Sequence, residues 1–231
     1  MFCRQGLIII ELMNTADTKS GKEPIRLFQS DILEFFTHIH PAAVAAVYLP
    51  LIGLLLAIGI RYAPPGAGPA ATPGGGWLVP LLWAAGLLIW TPAEYLLHRF
   101  LFHFAPRTPR QERVSFLFHG VHHSQPMVKT RLVMPPALSL PLAGLFFLFF
   151  RLVFIVIPGG LAATLILSSG FLTGYLLYDM LHYAMHHFNI KSGYVQKVRR
   201  NHMRHHALTP NKRFGVTTIF WDRVFGTYVE D

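Results

Sequence analysis

Four long apolar runs, separated by polar or Gly/Pro-rich stretches, set the organisation of this chain. Residues 44–60 (VAAVYLPLIGLLLAIGI) carry no charge and, with their flanks, approach the roughly 20 residues a helix needs to cross about 30 Å of hydrocarbon. Residues 77–97 form a second run interrupted only by Glu94. Residues 136–157 and 160–181 form a third and a fourth, and Pro158 and Gly159 between them predict a tight helical hairpin. Arg151 lies near the outer end of the third run, from where it can snorkel to the interface, and Asp179 lies near the inner end of the fourth. The stretch GAGPAATPGGG (66–76) has no apolar periodicity and many helix breakers, which predicts a loop outside the bilayer. The expected fold is an all-α integral membrane protein with four transmembrane helices.

Composition agrees: 52% of residues are hydrophobic and 13% charged, where soluble domains carry about 25% charge. The single cysteine, Cys3, excludes an intramolecular disulfide and a thiolate metal cage, so any metal chemistry falls to histidine or carboxylate. The net charge of +9 is explained by sidedness rather than by nucleic acid, because short cytoplasmic segments retain Lys and Arg. Arg4, Lys19, Lys22 and Arg26 precede the first run. Arg107, Arg110, Arg113, Lys129 and Arg131 follow the second, and eight more basic residues follow position 187. Both termini are therefore expected in the cytoplasm, with the Gly/Pro-rich loop and the Pro158 turn outside. The chain divides into a cytoplasmic N-terminal segment, 1–43, and a membrane domain, 44–231, whose segments 98–134 and 182–231 form a cytoplasmic histidine-rich helical cap. Residues 7–13 are a short apolar run without a convincing cleavage site, which argues against a signal peptide, and either Met1 or Met13 serves as a start.

Eleven of the 13 histidines fall in four tight groups: His98 and His103; His119, His122 and His123; His182, His186 and His187; His202, His205 and His206. All four groups lie on the side of the membrane assigned to the cytoplasm. Residues three or four apart on a helix are within about 60° of one another, so both imidazoles can face one ion. In HGVHH and HMRHH the first histidine shares a face with both later ones. The adjacent pair diverges by about 100°, so one helix can feed two neighbouring metals. HYAMH places His182 and His186 at i,i+4. His98 and His103 are i,i+5, about 140° apart on an ideal helix, and require a frayed end or ligands to different metals. Isolated histidines such as His38 and His40 read as ordinary hydrogen-bonded side chains. Cationic imidazoles at the density of the four groups would repel one another, and neutral ones would leave ring nitrogens unpaired unless ions bind them. Glu94 precedes His98 by four residues and Asp179 precedes His182 by three, as expected of carboxylates that accept a hydrogen bond from a liganding imidazole; Asp222 in FWDRVFGT is a weaker candidate for that role.

EYLLHRFLFH (94–103), FHGVHH (118–123), YDMLHYAMHH (178–187), NHMRHH (201–206) and FGVTTIFWDRVFGT (214–227) resemble, in order, the blocks of the membrane fatty acid hydroxylase superfamily, which includes the sterol desaturases. Fatty acid 2-hydroxylases are the nearer likeness, over about 27–227. The resemblance implies a di-iron centre with ten ligands: His98, His103, His119, His122, His123, His182, His186, His202, His205 and His206. His187 is then an additional, supporting residue. It further implies O2-dependent hydroxylation at the 2-position of a fatty acyl chain, free or lipid-linked. Zinc, which imidazole also accepts, is a substitute expected in purified protein. Eukaryotic relatives often carry an N-terminal haem domain of the cytochrome b type; the 43 residues before the first run are too few for one, so a separate electron-donor protein is expected. Sterol or carotenoid oxidation by the same centre is the alternative within enzymes. A non-catalytic metal carrier or sensor is the alternative outside them.

Overall fold

The computed structural model describes residues 24–63 and 77–230, and among these no strand occurs. The loop expected at 66–76, Cys3 and the apolar run 7–13 lie outside the described residues. A short helix, α1 (Asp31–Phe35), precedes α2 (Pro41–Arg61), which starts on Pro41 with the His40 imidazole accepting from Ala42 N–H. Helix α3 (Leu78–Leu96) continues into a π-helical segment, Leu97–Phe102. Helix α4 (Pro109–Ser115) leads through a second π segment, Phe116–Gly120, into α5 (Val121–Ser124) and a 3₁₀ turn, Lys129–Arg131. Then come α6 (Pro136–Val153), α7 (Gly160–His187), α8 (Gly193–Ala207) and α9 (Phe220–Val224).

Four of these stretches are long and apolar enough to cross a membrane, at the four runs read from the sequence. Their boundaries shift in two places. Helix α6 ends at Val153, and the hairpin turn takes up 154–159 with Gly159 at φ +73°, a left-handed conformation that glycine enters without a Cβ penalty. Helix α7 runs past 181 to His187, so the third histidine group hangs from an unbroken helix. Burial separates this helix from the rest: 78% of its apolar stretch is inside the protein, against 17–33% for the other three, which leave most of their surface to lipid. Helix α7 packs chiefly on α3 and α2 and less on α6. The α3–α7 contact is made backbone to backbone. A Cβ on Gly86 would lie 2.0 Å from the Leu167 carbonyl oxygen, and one on Gly170 would lie 1.9 Å from that of Trp83. Small residues provide helix–helix affinity in lipid, where apolar side chains gain nothing by leaving the hydrocarbon. Around this crossing Trp90, Phe171, Tyr175 and Tyr178 interlock edge-on or tilted at 5.2–5.6 Å between ring centroids.

The described part of the N-terminal segment is tied to the histidine-bearing connection between α3 and α6. Ile25 N donates to Gln125 Oε1 (2.8 Å) and Ile39 N to the Thr130 carbonyl (3.0 Å). Arg131 Nη2 meets Glu34 Oε1 (2.5 Å), the Ile25 carbonyl (2.7 Å) and His38 Nε2 (2.8 Å). His38 also bonds Thr130 Oγ1 at 2.8 Å, so His38 and His40 have the ordinary structural partners expected of them.

Candidate metal centre

Ten histidines assemble into two adjacent groups: His98, His103, His119, His123 and His205 in one, His122, His182, His186, His202 and His206 in the other. In each group, one nitrogen per imidazole lies within 4.8 Å of the same atom in all the others. Helical periodicity deals them out. His119 and His123, four apart, enter the first group while His122 enters the second; His202 and His206, four apart, enter the second while His205 enters the first. The His98–His103 pair, awkward on an α-helix, is resolved by the π segment. His103 N–H bonds to the His98 carbonyl at 3.1 Å, an i→i+5 bond that widens the turn and brings both rings to one side. Neither fraying nor separate metals is needed. The two groups share a wall: the rings of His123 and His206 stack at 4.1 Å, and those of His119 and His122 lie tilted at 5.3 Å.

Within the first group, Nε2 atoms face one another at 3.1 Å for His98–His119 and His119–His123, and at 3.0 Å for His103–His205. In the second, His122–His182, His186–His202 and His202–His206 face at 3.0–3.1 Å. His98 Nδ1 lies 2.6 Å from the Phe214 carbonyl and His205 Nδ1 lies 2.7 Å from that of Lys212. A carbonyl only accepts, so both protons sit on Nδ1, and the lone pairs of Nε2 point into the group. Protonation does not relieve the crowding. Burial, reinforced by charge repulsion between neighbouring imidazoles, holds His119, His122 and His202 well below the usual imidazole range and His103 and His206 at about 3. A cation among neutral nitrogens does relieve it. Two nitrogens at right angles about an ion with bonds of about 2.1 Å stand ~3.0 Å apart, the spacing of these pairs. The donor set therefore fits a metal ion in each group, and all-imidazole coordination suits iron, zinc or copper.

The carboxylates behind the rings act elsewhere than the sequence suggested. Glu94 does not touch His98: its Oε1 accepts from Val216 N and Thr217 N, both at 2.8 Å, and its Oε2 from Thr217 Oγ1 at 2.5 Å. Asp222 accepts from Phe214 N (2.7 Å), Gly215 N (2.9 Å), Thr227 Oγ1 (2.7 Å) and Asn201 Nδ2 (3.2 Å). Both acids thus clamp the loop 212–217, and the carbonyls of that loop hold His98 and His205. Asp179 accepts from Met134 N and Tyr175 Oη, each at 3.4 Å, and not from His182. The i→i+3 and i→i+4 spacings were right for a helix face, but a carbonyl and a loop amide arriving from distant sequence took the bonds. His187 lies outside both groups, its ring against Tyr183 at 4.6 Å. Asn201 and the Phe214 and Lys212 carbonyls were missed. Backbone acceptors leave no side-chain signature, and the only hint of Asn201 is its place directly before the HMRHH group.

A cavity of about 280 Å³ opens beside the rings, with His119 of one group and His122 and His182 of the other in its wall. The rest is mainly apolar, contributed by Leu27, Phe28, Leu33 and Phe36 on one side and 132–138 on the other. Phe102, Met134 and Tyr178 separate it from a smaller, almost wholly apolar cavity between α2, α3, α6 and α7.

Two banks of neutral, mostly buried imidazoles, each able to hold a metal ion, beside a mainly apolar cavity and with four helices of membrane-spanning length, define a class: helical membrane proteins with a histidine-rich candidate metal site. The fatty acid hydroxylase family model matches residues 83–227, and the chain belongs to that family of hydroxylating enzymes as an integral membrane protein. It is 32% identical over 206 residues to dihydroceramide fatty acyl 2-hydroxylase FAH2 of Arabidopsis thaliana, covering 87% of this chain and 79% of that one. It is 34% identical to the fatty acid 2-hydroxylase of Rattus norvegicus, covering 90% of this chain but 58% of the rat protein. Identity to ceramide very long chain fatty acid hydroxylase SCS7 of Saccharomyces cerevisiae is 42% over 151 residues, 64% of this chain and 38% of that one. Its fold matches the solved structure of full-length scs7p, in which only the hydroxylase domain is visible, with a TM-score of 0.74 and 29% identity over 96% of this chain and 83% of that one.

Proposed function

We propose that this protein hydroxylates carbon 2 of a fatty acyl chain, free or part of a ceramide-like lipid, with O2 as co-substrate and two iron ions held by the ten histidines. The observation that carries the reading is the pairing of two five-imidazole groups with a mainly apolar cavity in whose wall both groups appear. Iron held by these histidines would supply the O2 activation that breaking a C–H bond requires.

The chain's own residues do the rest. The Phe214 and Lys212 carbonyls hold the protons of His98 and His205 on Nδ1, so Nε2 is free to ligate. Glu94 and Asp222 keep that loop in place. Leu27, Phe28, Leu132 and Val133 exclude water beside the rings. Segments 98–134 and 182–231 form a cytoplasmic cap on the membrane domain, with 1–43 on the same side, a placement supported by the Lys and Arg distribution. Electrons come from a separate donor protein.

The test is reconstitution of the purified protein with ferrous iron, reductant, O2 and acyl lipids, followed by mass spectrometry of the acyl fragment. Gain of one oxygen at carbon 2 is the expected result, and zinc-loaded, iron-free protein is expected to be inactive. Oxidation of sterols or carotenoids alone would overturn the acyl assignment. Metal binding without O2 consumption would make the protein a carrier.

A further inference from the structure

We propose that Arg131 holds the carbonyl or carboxylate oxygen on carbon 1 of the acyl chain and thereby decides which carbon meets the histidine groups. This rests on the acyl hydroxylase reading above.

Arg131 ends the 3₁₀ turn between α5 and α6, and its side chain is 1% exposed. A guanidinium carries five N–H donors and stays charged. Here Nη2 makes all the contacts, to the Ile25 carbonyl, Glu34 Oε1 and His38 Nε2. Among the described residues the buried Nε and Nη1 have no acceptor, and they lie just beneath the cavity surface, so a ligand oxygen reaches them after a small shift of the side chain. Buried donors on a charged group are costly to leave unpaired, so a ligand that brings an acceptor oxygen gains what the protein by itself does not provide. Arg131 lines the same cavity as His119, His122 and His182, and among the described residues of its wall it is the only Lys or Arg. Asp179 in that wall is an acceptor already engaged by Met134 and Tyr175, and the Thr37 hydroxyl is engaged by the Glu34 carbonyl.

An acyl chain offers acceptor oxygens at carbon 1 and hydrocarbon beyond it. Apolar walls grip the hydrocarbon without register, because one methylene resembles the next. A donor at a fixed place in the cavity supplies the register, since anchoring carbon 1 restricts which neighbouring carbons reach the rings. The acceptor is a carboxylate oxygen in a free acid or a carbonyl oxygen in an amide or ester. Glu34 already balances the charge of Arg131, so an uncharged carbonyl leaves the buried ion pair neutral, whereas a carboxylate adds a charge to it.

The test compares wild type with Arg131→Lys, which keeps the charge facing Glu34 but loses Nε and Nη1, on protein shown by gel filtration and metal content to be folded and loaded. Substrates are an N-acyl lipid, the free acid of equal chain length, and an ether analogue in which carbon 1 carries no carbonyl. For Arg131→Lys, kcat/KM is expected to fall roughly ten- to a hundred-fold, with hydroxyl spreading to carbons beyond carbon 2. Wild type is expected to treat the ether analogue the same way, a result independent of how the variant folds. Preference for the N-acyl lipid over the free acid assigns the uncharged carbonyl; the reverse assigns the carboxylate. A single 2-hydroxy product at unchanged kcat/KM from Arg131→Lys, or from the ether analogue with wild type, overturns the assignment to Arg131 while the acyl hydroxylase reading stands. No hydroxylated acyl product from wild type overturns both.

Discussion

Asp222 is fully buried, and its two oxygens accept four hydrogen bonds, from Phe214 N, Gly215 N, Thr227 Oγ1 and Asn201 Nδ2, at 2.7–3.2 Å. Asp222→Asn leaves one acceptor oxygen. Its amide NH2 must then face either Phe214 N–H and the Thr227 hydroxyl or Gly215 N–H and the Asn201 amide. A hydrogen bond to a charged group contributes about 1.5–3 kcal/mol, so two lost bonds cost roughly 3–6 kcal/mol, a large part of the roughly 5–15 kcal/mol that holds a domain together. The damage falls on the loop 212–217, whose Phe214 and Lys212 carbonyls orient His98 and His205, and both of those belong to the first group. No histidine of the second group hydrogen-bonds to this loop. Asp222→Asn is therefore expected to weaken one of the two metal positions by roughly 10- to 100-fold and to leave the other near its wild-type affinity. Elemental analysis of protein dialysed against graded chelator reads this directly: bound metal should fall in two steps, with the variant's first step at lower chelator. Equal loss of both ions, or retention of both at wild-type chelator concentration, would refute the claim that Asp222 acts through the loop on one group.

Further outcomes follow from the same geometry. His122→Ala and His205→Ala, one from each group, are each expected to lower metal content and abolish hydroxylation, as measured by elemental analysis and lipid mass spectrometry; wild-type values for either would remove that group from the site. Gly170→Ala must force α3 and α7 apart and should lower the melting temperature in detergent by the equivalent of about 3 kcal/mol or more, whereas Gly53→Ala, which meets nothing within 4 Å, should be neutral or slightly stabilising. For metal-free protein, His103 and His206 titrate at about 3 in the folded chain but near 6.5 when unfolded, so the unfolded state binds more protons between those values. Stability is then fully present above about pH 6.5 and lost progressively toward pH 3; a melting temperature unchanged from pH 7 to 5 would contradict it.

Much of the site was legible because its chemistry is local. The HxxHH and HxxxH spacings use helical periodicity alone, and periodicity survives any packing, so the parting of the adjacent His122 and His123 into neighbouring groups follows from residue order, whereas the side His119 joins does not. The i,i+5 spacing of His98 and His103 carried a correct signal of difficulty and an incomplete solution. A π turn is an option of the backbone that neighbouring helices must hold in place.

By itself, the amino-acid sequence determined the number of apolar helices, the hairpin at Pro158–Gly159 and the identity of the clustered imidazoles, because hydrophobic length and helical spacing are properties of contiguous residues. Only the tertiary structure decided which helix lies at the centre, where Gly86 and Gly170 let two backbones touch, and which groups stand behind the rings. Glu94 reaches 216–217 and Asp222 reaches 214–215, while the proton of His98 goes to a carbonyl more than a hundred residues away in the chain. Such bonds are chosen by the packing of distant segments competing for the same acceptor, and no local spacing encodes the winner.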